Sequence, residues 1–306
     1  MPVVSVLIPV FNAGRWLRES VESVRGQTVG DWELIAIDDG STDDSGAVLA
    51  ELAKGDGRMR VLSRDNRGLV ATRNELLGMA RGEFVAWIDS DDRMTPERLA
   101  LQLERFSREP GLICLGGACT LTDPEGLPIR THAFPTDHEP LVEIMREDIA
   151  FYFPSVTMRR EAALKVGGFR EPLRIGEDYD ICLRMSEVGR VGNVPEVVLY
   201  YRQHMASTAN AGRAKCAAYR GLVKELAAER RWRGTDRLQR GEKVDVDFGA
   251  MPGERDVRAE THRRWAWWAL AEGHWRTSRK YALRALRDAP LDRKSWKLLA
   301  CSIRGR

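Results

Sequence analysis

The sequence predicts an α/β fold built on a parallel sheet and followed by a helical region. Strand and helix patterns alternate along the first hundred residues, which is typical of parallel sheets. Acidic clusters directly follow two of the predicted strands. After about residue 210 this alternation stops, and helical patterns rich in Trp and Arg replace it. Together these three observations define the expected architecture.

The alternation rests on short apolar runs separated by segments with helical spacing. The predicted strands are Val3–Val10, Trp32–Ile37, Arg60–Ser63 and Glu83–Ile88. The predicted helices are Trp16–Val24, Ser45–Ala53 and Leu69–Ala80. Ligands of such sheets bind beyond the carboxyl ends of the strands, so we expect the functional side chains there.

The middle of the chain is less regular. Its predicted strands are Gly111–Leu121, Pro154–Arg159 and Val194–Tyr201, and its clearest predicted helix is Tyr179–Ser186. A segment rich in Pro and His, Asp123–Pro140, is predicted as a loop. The change of pattern places a domain boundary near Ala211, with one domain over residues 1–210 and a helical region over residues 211–306.

The last hundred residues are predicted to be helical on both sides of a polar linker, Arg233–Glu254. A helical hairpin is expected to turn near Gly273, with its inner faces formed by Trp265, Trp268, Leu270, Trp275, Tyr281, Leu283, Leu286, Trp296 and Leu299. The segment from Arg276 to Arg306 contains ten basic residues and only two acidic ones, Asp288 and Asp292, so its net charge is +8. Basic faces with interleaved Trp and Leu suit an anionic membrane surface.

Composition narrows the class of protein. With 306 residues, 43% hydrophobic and 30% charged, the chain suits one large and one small globular domain. A net charge of +3 is too small to indicate nucleic-acid binding. Five scattered cysteines form no CxxC pair, which favours a reducing cytoplasm over a zinc site or disulfide framework. We find no signal peptide and no apolar run of about 20 residues, so any membrane association is expected to be peripheral.

The strongest chemical signal is the pair Asp89 and Asp91 at the end of a predicted strand. Side chains two residues apart on a strand share a face, so both carboxylates are expected to project into the same crevice. A divalent cation removes their mutual repulsion, and Mg²⁺ or Mn²⁺ bound this way keeps positions for phosphate oxygens. The alternative is that Asp91 or Asp92 caps the helix expected after Pro96.

A second acidic turn, Asp38-Asp39-Gly40-Ser41, follows a neighbouring predicted strand. A carboxylate there can accept hydrogen bonds from a ribose hydroxyl or from a base N–H. The alternative is an ordinary Asx turn completed by glycine. Two acidic turns at adjacent strand ends favour a shared ligand.

The order and spacing of several segments strongly resemble the family 2 glycosyltransferases, which have the GT-A fold. The segments are SVLIPVFN (Ser5–Asn12), DWELIAIDDGSTD (Asp31–Asp43), NRGLVATRN (Asn66–Asn74), GEFVAWIDSDD (Gly82–Asp92), Gly167-Gly168-Phe169, Glu177-Asp178, and Tyr201-Arg202-x-His204 followed by Ser207. The resemblance covers roughly the first 210 residues. It implies a donor half over about residues 1–100 and an acceptor half over about residues 101–210.

The resemblance also implies roles for individual residues. Pro9, Phe11 and Asp39 are expected to form the pocket for the nucleotide base and ribose. Asp89, Asp91 and Asp92 are expected to hold ribose, metal and diphosphate, with the choice between Asp91 and Asp92 as direct metal ligand left open. The remaining implied roles are a diphosphate contact for Arg73, a metal or phosphate contact for His204, and supporting positions for Asn12, Asn66, Gly68 and Glu177.

In this family the aspartate of the Glu177-Asp178 pair resembles the general base. A sugar hydroxyl is a poor nucleophile, and a positioned carboxylate can take its proton during attack. Attack opposite the departing diphosphate inverts the anomeric centre, so one base is enough. The alternative interpretation is that the pair caps the helix Tyr179–Ser186, and the two roles are compatible.

The resemblance therefore implies an inverting, metal-dependent enzyme that transfers a sugar from a nucleotide sugar, most commonly a UDP-sugar, to a glycan or lipid-linked saccharide. The expected setting is cell-surface polysaccharide synthesis in the cytoplasm or at the inner face of its membrane. Acceptor specificity is expected within Gly116–Tyr152. Two alternatives stay open: transfer to a polyprenyl phosphate, and a non-catalytic nucleotide-binding scaffold that acts through its helical tail. Motifs of NTPases and dinucleotide enzymes are absent.

Overall fold

The computed structural model describes residues 1–207, 213–246 and 254–305. Its strands are β1 (Val4–Val10), β2 (Trp32–Asp39), β3 (Met59–Arg64), β4 (Phe84–Trp87), β5 (Arg93–Met94), β6 (Leu112–Thr122), β7 (Pro128–His132), β8 (Thr157–Arg159) and β9 (Arg190–Arg202). Its helices up to Ser186 are α1 (Gly14–Arg25), α2 (Ser45–Ala53), α3 (Leu69–Met79), α4 (Arg98–Arg108), α5 (His138–Met145), α6 (Arg160–Lys165) and α7 (Glu177–Ser186). The later helices are α8 (Arg213–Arg233), α9 (Glu254–Ala271), α10 (Trp275–Asp288) and α11 (Arg293–Arg304).

One mixed sheet organises the strands in the order β3-β2-β1-β4-β8-β6-β9-β5, and β7 pairs with β6. The predicted parallel half is confirmed, because β1 pairs in parallel with both β2 and β4, and β2 pairs in parallel with β3. Beyond β4 the sheet becomes antiparallel through β8 and β6. The strands β1 and β2 are buried along their whole length, as expected for a sheet covered on both faces.

The contacts of the chain divide it into two compact units. The first unit contains residues 1–119, 133–200 and 219–246, and the second contains residues 120–132, 201–218 and 247–306. The predicted boundary near Ala211 lies outside the described residues and stays a prediction. Among the described helices, none combines the length and apolar composition that crossing a membrane requires.

The loop predicted over Asp123–Pro140 is wrong in part. The structure has a β-hairpin there, in which Asp123 Oδ1 accepts the N–H of Glu125 and of Leu127, and β7 returns along β6. Helix α5 then begins at His138. In the second unit, the Asp123 carboxylate also accepts hydrogen bonds from Lys280 and from the Tyr281 hydroxyl, which ties the hairpin to α10.

The helical hairpin near Gly273 is confirmed, since α9 ends at Ala271 and α10 begins at Trp275. The predicted inner face is only partly correct. Trp265, Leu270, Tyr281 and Leu286 are buried, whereas Trp275, Leu283 and Trp296 are exposed. Ser278 and Ser302 occupy the contact between α10 and α11, where their hydroxyl oxygens lie 2.7 Å apart.

The centre of the parallel half depends on a close approach at Gly82, just before β4. A β-carbon at this position would lie 2.6 Å from the Ser5 backbone nitrogen and 2.9 Å from the Phe84 carbonyl oxygen. The Gly82 N–H also donates to Ser5 Oγ at 2.9 Å, and Ser5 Oγ donates to Glu33 at 2.7 Å. Only glycine fits between these backbone atoms without moving the strands.

We predict that Gly82→Ala lowers the free energy of unfolding by about 2 kcal/mol, because the added methyl group overpacks rigid backbone. The matched control is Gly78→Ala on α3, where a β-carbon meets nothing within 4 Å. That change is expected to raise stability by about 0.5–1 kcal/mol, because alanine favours helix over glycine. Urea unfolding measures both variants, and equal effects of the two changes would contradict the steric argument.

Candidate active site

The carboxyl ends of β1, β2 and β4 lie side by side because these strands are parallel neighbours. Val10 at the end of β1 pairs with Asp38 of β2, and Leu7 pairs with Trp87 at the end of β4. The residues that follow the strands therefore emerge at one edge of the sheet. This arrangement brings the segments that carry Phe11, Asp39 and Asp89 to the same edge.

Asp39 is buried and holds the loop that follows β3. Its Oδ1 accepts the Arg67 N–H at 3.0 Å, its Oδ2 accepts the Gly68 N–H at 2.8 Å, and Arg64 forms an ion pair with it at 3.0 Å. The Asn66 side chain donates to the Asp39 carbonyl oxygen at 2.8 Å. The predicted site residue Asp39 thus contacts both Asn66 and Gly68 directly.

The segment after β1 is held in an unusual backbone conformation. Asn12 has a φ of 50°, a left-handed value that Asn tolerates better than most residues. Its Oδ1 accepts the Thr42 N–H at 2.8 Å, and its own N–H donates to Ser41 Oγ at 2.9 Å. Pro9 is buried within β1, whereas the neighbouring Phe11 ring is 53% exposed. The turn therefore presents an aromatic ring to solvent at the site edge.

Three aspartates cluster after β4. Asp89, Asp91 and Asp92 each place a carboxylate oxygen within 4.8 Å of the others, and the described residues contain no other such group of three His, Cys, Asp or Glu side chains. The alternative that Asp91 or Asp92 caps the next helix is wrong, because α4 starts at Arg98 with Glu97 at its N-cap. The turn after β2 is the Asx turn given above as the alternative, because Asp38 Oδ1 accepts the Ser41 N–H at 3.0 Å.

A buried cation, Arg98, lies near the innermost aspartate of the cluster. Arg98 and Asp92 are both fully buried. The guanidinium donates to the carbonyl oxygens of Pro154 at 2.7 Å and Trp87 at 2.9 Å. Burial lowers the pKa of Arg98 to about 9, and the nearby thiol of Cys119 and carboxylate of Asp92 oppose that shift. Sequence reasoning missed Arg98, because nothing in its local pattern distinguishes it from a solvated helix residue.

A second buried cation, Arg73 of α3, joins the aspartate cluster to helix α7. Its Nη1 donates to Glu177 Oε1 at 2.7 Å, and its Nη2 lies 3.5 Å from Asp89 Oδ1. The guanidinium also lies over the rings of Phe153 and Phe169, at 4.6 and 5.6 Å from their centroids. The predicted contact of Arg73 with a diphosphate stays a prediction. The two aromatic rings had no predicted role.

The carboxylates around Arg73 are electrostatically crowded. Burial raises the pKa of Glu177 to about 7; the Arg73 cation opposes this rise, and the Asp178 carboxylate adds to it. Burial likewise raises the pKa of Asp89 to about 6, again opposed by Arg73 and increased by Asp91 and Asp178. A single guanidinium therefore compensates only part of the negative charge in this region.

Asp178 lies in the first turn of α7, with Gly176 at the N-cap position. Its Oδ1 accepts the Tyr179 N–H at 2.7 Å. Asp178 also lines a shallow surface depression whose other walls are mostly apolar: Met145, Ile149, Ala150, Phe151, Phe153, Tyr179 and Cys182. The Tyr179 hydroxyl donates to the Met145 carbonyl oxygen at 2.6 Å, which fixes the end of α5 against α7.

His204 belongs to the second unit. Its carbonyl oxygen accepts hydrogen bonds from the Ser207 hydroxyl at 2.8 Å and from the Ser207 N–H at 3.2 Å. The predicted metal or phosphate contact of His204 stays a prediction.

The aspartate cluster fits a divalent cation. Its donors are hard carboxylate oxygens, which Mg²⁺ and Mn²⁺ accept, and they lie close enough together to share one ion. The raised pKa of Asp89 reflects burial and negative neighbours, and a bound cation would offset both effects. The residues that would hold the ion are Asp89, Asp91 and Asp92.

Comparison with solved structures identifies the class of fold as GT-A. TarS 1–349 from S. aureus, in complex with UDP-GlcNAc, aligns with a TM-score of 0.56 and 17% identity over 100% of this chain and 93% of that chain. The mannosyltransferase PcManGT from Pyrobaculum calidifontis, in complex with GDP-Man and Mn²⁺, aligns with a TM-score of 0.56 and 17% identity over 99% and 80%. At this identity the likeness concerns the fold alone.

Comparison of sequences identifies the family. Residues 5–167, more than half of the chain, match the model of Glycosyl transferase family 2. The chain therefore belongs to glycosyl transferase family 2. The chondroitin synthase of Pasteurella multocida is 31% identical over 199 residues, which is 64% of this chain and 20% of that protein. The O-antigen biosynthesis protein RfbC of Myxococcus xanthus is 32% identical over 235 residues, 74% and 18% respectively. The chain thus spans about a fifth of the length of these relatives.

We predict that Arg73→Met lowers the free energy of unfolding by about 3 kcal/mol, because it leaves the buried Glu177 and the partly exposed Asp89 without their cation. Arg73→Lys is expected to lose less, since the ammonium keeps the charge but not the two-pronged geometry. Urea unfolding measures both variants.

The control for this prediction is Arg67→Met, which removes an exposed guanidinium from the loop before α3. Its effect is expected to stay within about 0.5 kcal/mol. An Arg73→Met protein as stable as this control would show that the cation does not hold the carboxylates together.

Proposed function

We propose that the chain transfers a sugar from a nucleoside-diphosphate sugar, of the UDP-sugar class, to a saccharide or lipid-linked saccharide acceptor, with inversion. The observation that carries the proposal is the aspartate cluster at the carboxyl ends of the parallel strands. Arg73 links this cluster to helix α7, because it contacts both Asp89 and Glu177, the residue that precedes Asp178. Membership of family 2 supports it. The names of the chondroitin synthase and O-antigen relatives favour polysaccharide synthesis as the setting.

The donor would occupy the edge of the sheet formed by the ends of β1, β2 and β4. In this proposal Pro9, Phe11 and Asp39 bind the base and ribose, and the exposed Phe11 ring offers a face for stacking. Asn12, Asn66 and Gly68 support this edge through the hydrogen bonds described above. Asp89, Asp91 and Asp92 would hold Mg²⁺ or Mn²⁺, which when bound offsets charge on the diphosphate.

The acceptor hydroxyl would be deprotonated by Asp178 as it attacks the anomeric carbon. The new glycosidic bond forms while the bond from that carbon to the diphosphate breaks, and the proton passes to the Asp178 carboxylate. The depression beside Asp178 supports this role, because part of its lining, from Met145 to Phe151, comes from the segment expected to select the acceptor. Glu177 keeps the first turn of α7 in place through its ion pair with Arg73.

Two other functions remain candidates. If the acceptor is a polyprenyl phosphate, its nucleophile is already ionised and a base contributes little. If the chain is a non-catalytic scaffold, it binds the nucleotide without transferring a sugar.

We propose that the enzyme acts in the cytoplasm, at the inner face of the membrane when the acceptor is lipid-linked.

The donor site is tested by thermal unfolding with a panel of nucleotides, with and without Mn²⁺. We expect a diphosphonucleotide to raise stability only with metal, by about 2.7 kcal/mol at a concentration of 100 times its Kd. Asp91→Asn is expected to abolish the metal-dependent part. The control Asp31→Asn removes an exposed carboxylate that precedes β2, at the opposite edge of the parallel strands. No response to any nucleotide by the folded protein would refute the donor site.

The base is tested by Asp178→Asn, measured as release of the nucleoside diphosphate with saccharide acceptors. We expect kcat to fall by about 10²–10⁴-fold while the nucleotide-induced thermal shift is retained. The control is again Asp31→Asn, an exposed carboxylate that precedes β2 at the opposite edge of the parallel strands. A loss below about tenfold with a polyprenyl phosphate acceptor would favour that alternative. Unchanged turnover with saccharides would exclude Asp178 as the base.

A further inference from the structure

Helix α11 has two faces of opposite character. Ser295, Leu298 and Ser302 are buried on one face. Trp296 is 58% exposed and Ile303 is 61% exposed on the other, seven residues apart and therefore two turns along the same side. Ala300 lies between them and is also exposed. The result is a narrow apolar stripe that points away from the helices of its own unit.

The stripe is flanked by positive charge only. Arg293, Lys294, Lys297 and Arg304 give α11 a charge of +4 over 12 residues, and the helix contains no acidic residue. Within residues 1–207, 213–246 and 254–305, none of these four side chains forms an ion pair. The nearest acidic residue in sequence, Asp292, is occupied by the N–H groups of Lys294 and Ser295 and by Arg263 at 2.9 Å.

The helix is held rigidly enough to present this face. Asp292 caps its N-terminus. Near its C-terminus Arg279 of α10 donates to the Ser302 carbonyl oxygen at 3.1 Å, beside the contact between the Ser278 and Ser302 hydroxyls. The Trp296 indole N–H donates to the Pro290 carbonyl oxygen at 2.9 Å. This bond satisfies the polar edge of the indole and leaves its ring exposed.

Other large apolar side chains of the same helical region are also exposed. Leu291 in the turn before the helix is 95% exposed, and Leu283 on α10 is 57% exposed. Arg287 of α10 and Arg276 near its start are exposed and form no ion pair among the described residues. The outward surfaces of α10 and α11 thus combine large apolar side chains with uncompensated cations.

This chemistry favours an anionic lipid surface over other occupants. A second copy of the same face would bring two clusters of four like charges together, which opposes self-association. Nucleic acid binds cations, but it offers little to Ile and Leu side chains. At the headgroup boundary of an anionic bilayer, by contrast, Lys and Arg meet phosphates while Trp, Ile and Leu enter the apolar layer.

We propose that the outer face of α11, with Trp296 and Ile303 as apolar anchors and Arg293, Lys297 and Arg304 as headgroup contacts, binds an anionic lipid bilayer in the plane of its interface. The helix is about 18 Å long, which suits a helix lying along the surface. The inference goes beyond the proposed reaction and does not depend on it. It identifies the part of the chain that would bring the enzyme to a lipid-linked acceptor.

The test is sedimentation of the full chain with lipid vesicles at low and at high salt. One set of vesicles contains phosphatidylcholine alone, and the other also contains about 30 mol% of the anionic lipid phosphatidylglycerol. We expect binding to the anionic vesicles that weakens with salt. Each basic residue near such a surface contributes about fivefold, so Lys297→Gln with Arg304→Gln should lower the partition coefficient about 25-fold. Trp296→Ser with Ile303→Ser should lower it by about tenfold or more.

Matched controls keep the same chemistry elsewhere on the chain. Lys54→Gln with Lys165→Gln removes two exposed lysines, and Trp232→Ser removes a tryptophan that is 80% exposed on α8. Neither control should change vesicle binding. The nucleotide-induced thermal shift should be the same in all these variants, which separates a failure of the membrane surface from a failure of the donor site.

Three outcomes would overturn the proposal. The first is no sedimentation of the wild-type chain with anionic vesicles at low salt. The second is equal, salt-independent binding to both vesicle types, which would remove the role of the cations. The third is a dimer in light scattering that Trp296→Ser with Ile303→Ser dissociates while vesicle binding is absent, which would assign the face to a second copy.

Discussion

The buried guanidinium of Arg73 is the interaction on which the arrangement of the candidate site depends. It connects Asp89, which follows the parallel strand β4, to Glu177, which begins helix α7. These groups come from distant parts of the chain and carry the same charge. Without a cation between them, burial and repulsion would favour either separation of the two segments or uptake of protons. Arg73 therefore determines that the base candidate Asp178 stands beside the aspartate cluster.

A second buried cation completes this electrostatic design. Arg98 lies behind Asp92 and uses backbone carbonyl oxygens as its hydrogen-bond partners, so part of its charge is directed at the aspartate cluster. Two guanidiniums thus face five carboxylates: Asp89, Asp91, Asp92, Glu177 and Asp178. The remaining negative charge is what a divalent cation would balance, and such a cation would in turn attract the negatively charged diphosphate. A bound cation would therefore act on the same carboxylates that hold this part of the fold together.

The parts of the fold that sequence reasoning predicted are those with local signals. Apolar runs that end in Asp-Asp-Gly-Ser or Asp-Ser-Asp-Asp predicted the parallel strands and the acidic edge, because strand ends and turns leave marks within a few residues. Strand β7 was missed because its pairing with β6 is a tertiary contact made by a Pro- and His-rich segment. Arg98 and the rings of Phe153 and Phe169 were missed as site residues for the same reason, since only folding brings them to the carboxylates.

The error in the helical region has a different physical origin. The prediction placed apolar residues inside the hairpin because of their residue type alone. In the structure α10 and α11 contact each other through the hydroxyl groups of Ser278 and Ser302. Such a close contact leaves no space for an indole between the two helices. Trp296 is consequently outside, and its N–H bonds to the turn instead of a core partner. Where small residues form the contact between two helices, the large residues of those helices lie at the surface. A large exposed apolar surface beside cations without ion-pair partners is typical of an interaction site. The close contact of Ser278 and Ser302 thus lies on the inner side of α11, and the face that we propose for the membrane lies on its outer side.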